Sequence, residues 1–144
     1  MKLSTCLLLL ANLVQSKHTA GDSIRYISRS ELKDSPVMTN STYLMLFFGA
    51  AWCGYTKRFN PEYYKGQELV KKDSQISAQD FQMFKVDVTE TNDRRWAAST
   101  YGVDGFPTTF LFKKGEKVEE YEGRDGTHLY CYIKKLLDQS SDKC

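Results

Sequence analysis

The sequence predicts a single α/β domain, and three observations carry that expectation. Residues 43–48 (YLMLFF) form an unbroken apolar run of six, the pattern of a central strand buried on both faces. Strand-like and helix-like segments alternate after it. A Gly-containing hairpin followed by an amphipathic helix closes the series. At 144 residues, with 41% hydrophobic and 26% charged content, the chain suits one domain with a core of its own.

The elements follow in order. Ile24 to Ile27 is a short strand candidate. A brief helix around Ser30-Glu31-Leu32 is ended by Pro36, and Thr39-Asn40-Ser41 reads as a turn. After the apolar strand, Gly49-Ala50-Ala51 leads into a helical pattern from Tyr55 to Lys72. Phe59, Tyr63 and Val70 lie near one face of it, and Pro61 is expected to kink it by removing a backbone donor. Residues 73–80 form a polar loop, and Phe84 to Val88 alternates as a strand. Asn92 or Asp93 can cap a helix through Tyr101, which Gly102 stops. Thr108–Phe112 and Lys117–Tyr121 are strands joined by the turn at 113–116. Thr127–Leu137 is the closing helix, with Leu129, Ile133, Leu136 and Leu137 on its core face.

The first residues differ from the rest. Lys2, an apolar run from Leu3 to Val14 and small residues near Ser16 form a secretory signal peptide pattern, expected to end at residue 16. The run is shorter than the roughly 18 apolar residues a bilayer span takes. The expected organisation is therefore a signal peptide at 1–16, a flexible lead-in at 17–22, the domain at 23–138 and a tail at 139–144. No membrane anchor is expected, and the protein is expected in the endoplasmic reticulum lumen or outside the cell. The tail SSDKC carries no KDEL-type retrieval signal. Without Lys2, 19 basic residues face 18 acidic ones, a balance that argues against nucleic acid as a partner.

Cysteine usage sharpens the functional question. Loss of Cys6 with the leader leaves Cys53, Cys131 and Cys144, an odd number in an oxidising compartment. Cys131 on the closing helix reads as structural. Cys144 can pair with Cys131, bridge to another chain or reach Cys53. His18 and His128 are too few and too distant from Cys53 to form a metal site, and no cofactor is implied.

The run Trp52-Cys53-Gly54-Tyr55-Thr56 carries the chemistry. Cys53 lies between a buried strand and a helix N-terminus, where free backbone N–H groups and the helix dipole favour a thiolate. An effect of up to about 2 kcal/mol lowers a thiol pKa of about 8.5 toward roughly 7. Thr56, on the first turn, can turn its hydroxyl toward the sulfur.

These segments resemble the thioredoxin-fold domains of the protein disulfide isomerase family. FFGAAWCGYTKRFNPEYY resembles its strand, W-C-G-H-C-K turn and proline-bearing helix, and KVDVTE (85–90) its third-strand signature. YGVDGFPTTFLFKKG (101–115) resembles the segment holding its cis-proline, at Pro107. EGRDG (122–126) lies where that family carries an arginine, here Arg124. The resemblance implies a thioredoxin fold, a central mixed β-sheet flanked by helices. It further implies Cys53 and Thr56 as the catalytic pair and Trp52, Gly54, Tyr55, Phe106 and Pro107 as the client-binding surface. Lys57 and Arg124 are candidate modulators of the thiol.

Two departures matter. The family's second cysteine is Thr56, and its buried glutamate, which serves that cysteine, is Phe47. On the family pattern Lys57 would neighbour that glutamate. A lone thiol can attack a client disulfide but cannot close an internal one, so release awaits a client thiol, glutathione or an outside cysteine. The function expected is thiol–disulfide exchange, or client retention, on cysteine-containing secretory proteins, with glutathione as a further partner. The alternatives are a redox-silent chaperone or secreted binding module and a glutathione-dependent monothiol reductase. The second lacks a T-V-P segment, having Gly105-Phe106-Pro107 in its place.

Overall fold

A computed structural model describes residues 24–144, so the expected signal peptide and lead-in lie outside the described residues. In chain order the elements are α1 (Arg29–Asp34), α2 (Val37–Asn40), β1 (Tyr43–Gly49), α3 (Gly54–Lys72) and β2 (Phe81–Asp87). They continue with α4 (Thr91–Tyr101), β3 (Thr108–Lys113), β4 (Glu116–Glu120) and α5 (Gly126–Leu136). The sheet order is β2-β1-β3-β4. β1 runs parallel to β2 and antiparallel to β3, and β4 returns antiparallel to β3. This mixed four-stranded sheet with helices on both faces is the thioredoxin fold that the sequence predicts.

β1 explains why its apolar run is unbroken. Leu44, Leu46 and Phe48 point into a core shared with Leu32, Val37, Ala97 and Phe110. Met45 and Phe47 point the other way, among Phe59, Tyr63, Leu129 and Ile133 of α3 and α5. Because side chains alternate across a strand, both faces of a central strand need hydrophobes.

Several boundaries move. Residues 24–27 make one parallel bridge, Tyr26 to Lys85, rather than a strand. Residues 37–40 coil into α2 where a turn is expected. β2 starts at Phe81, because Tyr43 of β1 offers it a partner in register. α4 begins after Glu90, not at Asn92 or Asp93; Asp93 sits in its first turn and faces Arg29 at 3.9 Å. α3 continues through Pro61 as one 19-residue helix. Gly102 does end α4, in the left-handed conformation (φ 76°) that glycine adopts without a Cβ penalty. The β3–β4 hairpin turns through two left-handed residues, Lys114 and Gly115.

Of the three fates open to Cys144, the structure has the pairing with Cys131. The tail therefore folds back onto α5. Beside it, Lys134 is almost wholly buried and donates to Asp73 at 2.8 Å, Gln75 at 2.6 Å and Gln139 at 2.9 Å. Tyr130 donates its hydroxyl proton to the same Asp73 carboxylate at 2.7 Å. Lys134 and Tyr130 together hold the Asp73 carboxyl down at about 2.

Candidate functional site

The end of β1 and the start of α3 create the site. Gly49 closes the strand, and Cys53 occupies the N-cap position of α3 in an extended conformation. Its N–H donates to the Ala50 carbonyl at 3.0 Å, and its own carbonyl accepts from Lys57 N–H at 3.0 Å. The sulfur is therefore fixed at the open end of the helix, partly accessible, and it is the one free thiol among the described residues.

Local groups decide its charge state. Partial burial pushes the Cys53 thiol up. The backbone N–H of Thr56, the Thr56 hydroxyl, the Tyr55 N–H and the Arg58 charge outweigh that effect and hold it below its ordinary value. Thr56 is fully buried, and its Oγ1 accepts from the Ala50 N–H at 3.4 Å. With that acceptor role met, the hydroxyl proton is left for the sulfur. The approach is close: a Cβ on Gly49 would come within 2.7 Å of the Thr56 methyl carbon and 3.0 Å of the Phe47 ring. Glycine at 49 is what lets Thr56 lie over Phe47.

Below Thr56 the floor is hydrocarbon. Phe47 is completely buried, with ring centroids 5.0 Å from Phe59 and 4.9 Å from Tyr63. The cation brought against it is Lys85, its register partner on β2, whose ammonium lies 5.3 Å from the Phe47 ring. Lys85 donates to Asn60 at 2.7 Å and to the Tyr26 hydroxyl at 3.2 Å. Lys57, which the family pattern would put beside this position, is exposed on α3. The alternation of a strand buries Lys85, whereas the helix turns Lys57 outward.

Two loops complete the rim. Phe106-Pro107 is a cis peptide, and the Cys53 thiol donates to the Phe106 carbonyl at 3.7 Å. Trp52 stands edge-on to Phe106 at 6.0 Å, and its indole N–H donates to the Thr89 carbonyl at 3.2 Å. Thr89 in turn accepts the Ala51 N–H at 2.9 Å and receives the Arg94 guanidinium on its carbonyl. Arg124 donates to the Pro107 carbonyl at 3.4 Å and lies 5.1 Å from the Phe59 ring centroid. It braces the proline loop from behind; the cation acting on the sulfur is Arg58, which the sequence reading missed. Its signal was its spacing, one helical turn beyond Tyr55 on the same face.

The structure thus brings together Trp52, Cys53, Tyr55, Thr56, Phe106 and Pro107, with Arg124 behind them and Lys57 outside. Gly54 lies in the open, where an added Cβ would meet nothing within 4 Å. Trp52 (57%) and Tyr55 (68%) are among the few exposed large hydrophobics of the described residues. A cavity of about 710 Å³ lies elsewhere, between Ile24–Tyr26, α3 and the start of β2, and contains none of these residues. The polarised thiol thus lies on an open surface beside exposed aromatic rings, apart from that cavity.

Fold and thiol together define a thioredoxin-fold domain with one accessible cysteine at the start of its second-layer helix. The chain belongs to the thioredoxin family, whose family model, described as thioredoxin, matches residues 26–135. Among curated relatives it is 35% identical over 96 residues to protein disulfide-isomerase of Oryctolagus cuniculus, covering 65% of this chain and 18% of that protein. It is 33% identical over 101 residues to protein disulfide isomerase-like 1-4 of Arabidopsis thaliana, covering 70% and 15%. The chain therefore spans less than a fifth of these relatives' length. Among solved structures, human ERp44 superposes with a TM-score of 0.68 at 22% identity, over 82% of this chain and 31% of that one. A mutant thioredoxin from Halobacterium salinarum superposes at 0.57 with 30% identity, over 82% and 94%. The chain is a thioredoxin-fold protein resembling single domains of protein disulfide isomerase. Among the described residues, no helix is long and apolar enough to cross a membrane.

Proposed function

We propose that this protein exchanges disulfides with cysteine-containing client proteins of the secretory pathway through a mixed disulfide at Cys53. The observation that carries the reading is a lone accessible thiol, held below its ordinary pKa, with a buried threonine where a second thiol would sit. The Cys53 thiolate attacks one sulfur of a client disulfide. A Cys53–client S–S bond forms, the client S–S bond breaks, and the departing client sulfur leaves as a thiolate. That thiolate, or another client thiol, then attacks the mixed disulfide and returns Cys53 as a thiolate. No electrons are gained or lost overall, so the chemistry is isomerisation or retention rather than net oxidation. Thr56 stabilises the thiolate and has no sulfur with which to cut the adduct. Trp52, Tyr55 and the Phe106-Pro107 loop supply the client contact.

The leader at 1–16 is proposed to deliver the chain to the oxidising compartment, consistent with a disulfide between Cys131 and Cys144. The exposed Trp52 and Tyr55 favour a second reading, non-covalent client binding. Alkylation-quenched, non-reducing gels of protein incubated with scrambled ribonuclease separate the two. Exchange predicts adducts and recovered ribonuclease activity that vanish in Cys53→Ala. Adducts and activity unchanged in that variant would leave only the binding module.

A further inference from the structure

We infer that Arg58 makes this site selective for client cysteines flanked by acidic residues, by offering a carboxylate-binding guanidinium over the Tyr55 ring, in the first turns of the helix that Cys53 caps. The inference rests on the exchange reading above and names the substrate class for the same thiol. Tyr55 and Arg58 lie three positions apart on α3, hence on one face. The Arg58 guanidinium stacks over the Tyr55 ring, 4.6 Å from its centroid. Both side chains are exposed. That contact holds an exposed guanidinium beside the ring, and a guanidinium fork can take a carboxylate in two parallel hydrogen bonds.

Among the described residues nothing is bonded to that guanidinium. Among the described residues Arg58 makes neither a hydrogen bond nor an ion pair, although every other arginine contact around the thiol is committed. Arg94 is bonded to Thr89 and to Thr91 Oγ1, and Arg124 to the Gly123 and Pro107 carbonyls. The nearby carboxylates are also engaged. Glu62 accepts the Gly126 N–H, Asp87 holds Thr89, and Asp93 faces Arg29. Asp104, exposed on the loop before Phe106, makes no ion pair with Arg58. Yet the Arg58 charge is felt at the Cys53 sulfur. A client whose cysteine lies against Cys53 thus carries its neighbouring side chains past an uncommitted guanidinium. An acidic neighbour gains a charge-assisted contact there, and a lysine is repelled.

The test uses short peptides whose single cysteine is a mixed disulfide with 2-thiopyridine, an uncharged reporter, flanked by aspartate, serine or lysine. Cys53 attacks the peptide sulfur, the peptide–pyridine S–S bond breaks, and pyridine-2-thione is released and read by absorbance. Aspartate-flanked peptide should react about fivefold faster than the serine peptide at low salt, the effect of one well-oriented exposed ion pair, and the gap should close as salt is raised. Arg58→Gln should bring the aspartate-to-serine ratio to one, Arg58→Glu should invert it, and Arg58→Lys should keep part of it. A uniform slowing of all three peptides in Arg58→Gln would mean that Arg58 acts only on the thiol's acidity and would overturn the inference. A wild-type ratio of one would also overturn it while leaving the exchange reading intact. Failure of Cys53 to react with any of the three would sink both.

Discussion

The two ends of α3 treat cysteine in opposite ways. At its start, Cys53 is reduced, partly exposed and surrounded by groups that favour its charged form. Beyond its far end, about 28 Å along a 19-residue helix, Cys131 and Cys144 are consumed in a disulfide beside a buried lysine with three acceptors. The same residue type is chemistry at one end and construction at the other, and the neighbours decide which. At the thiol end Trp52, Tyr55 and Arg58 are exposed to solvent. At the disulfide end the polar groups are matched inside the chain.

This contrast can be broken from either end. The largest stability effect is expected at the disulfide end, from Lys134→Met. Removing the buried ammonium strands Asp73, Gln75 and Gln139, at a cost of about 3 kcal/mol in denaturant unfolding, with the Cys53 alkylation rate unchanged. Equal stability of variant and parent would mean that water replaces the lysine freely.

Cys131→Ser with Cys144→Ser should follow closely. Opening a short disulfide loop is expected to lower stability by about 2–3 kcal/mol while client adducts at Cys53 persist. Loss of those adducts would show that the two ends communicate.

Acid should act through the same end. The Asp73 carboxyl sits at about 2 in the folded chain and near its ordinary value of 3.8 when unfolded. Its contribution is therefore complete above pH 4 and fades as pH falls from about 4 to 2. Thermal melts across that window should show a loss that Lys134→Met largely removes.

The smallest effect belongs to the thiol end. Thr56→Val keeps the shape and removes the hydroxyl, so the Cys53 pKa, read from the pH dependence of alkylation, should rise because the hydroxyl no longer donates to the sulfur. An unmoved pKa would assign the depression to the backbone N–H groups and Arg58 alone.

Much of the fold was legible because its signals are local. An apolar run, a glycine stop and a hairpin turn each declare themselves within a few residues. The cysteine motif and Pro107 were legible for the same reason, and the structure brings them together. What was hidden depends on tertiary register. Lys85 meets Phe47 only through the parallel pairing of β1 with β2, whereas the family pattern pointed to Lys57. Arg58 belongs to no motif, and only the fold shows its guanidinium over the Tyr55 ring. The fate of Cys144 was open because a terminal residue has no pattern to constrain it, and α5 had to be laid down first. The start of α4 at Thr91 escaped because the N-cap, Glu90, makes no side-chain cap hydrogen bond.

The aromatic floor beneath Thr56 has a consequence for reversibility. A sulfur placed at position 56 would lie near the completely buried Phe47 ring, itself packed on Phe59 and Tyr63, so that position 47 offers no carboxylate to take its proton. A dithiol made by that change alone would be slow to cleave its own adducts, because an uncharged thiol in hydrocarbon is a poor nucleophile. A fast dithiol site here would therefore call for a proton acceptor at position 47 as well as a sulfur at position 56.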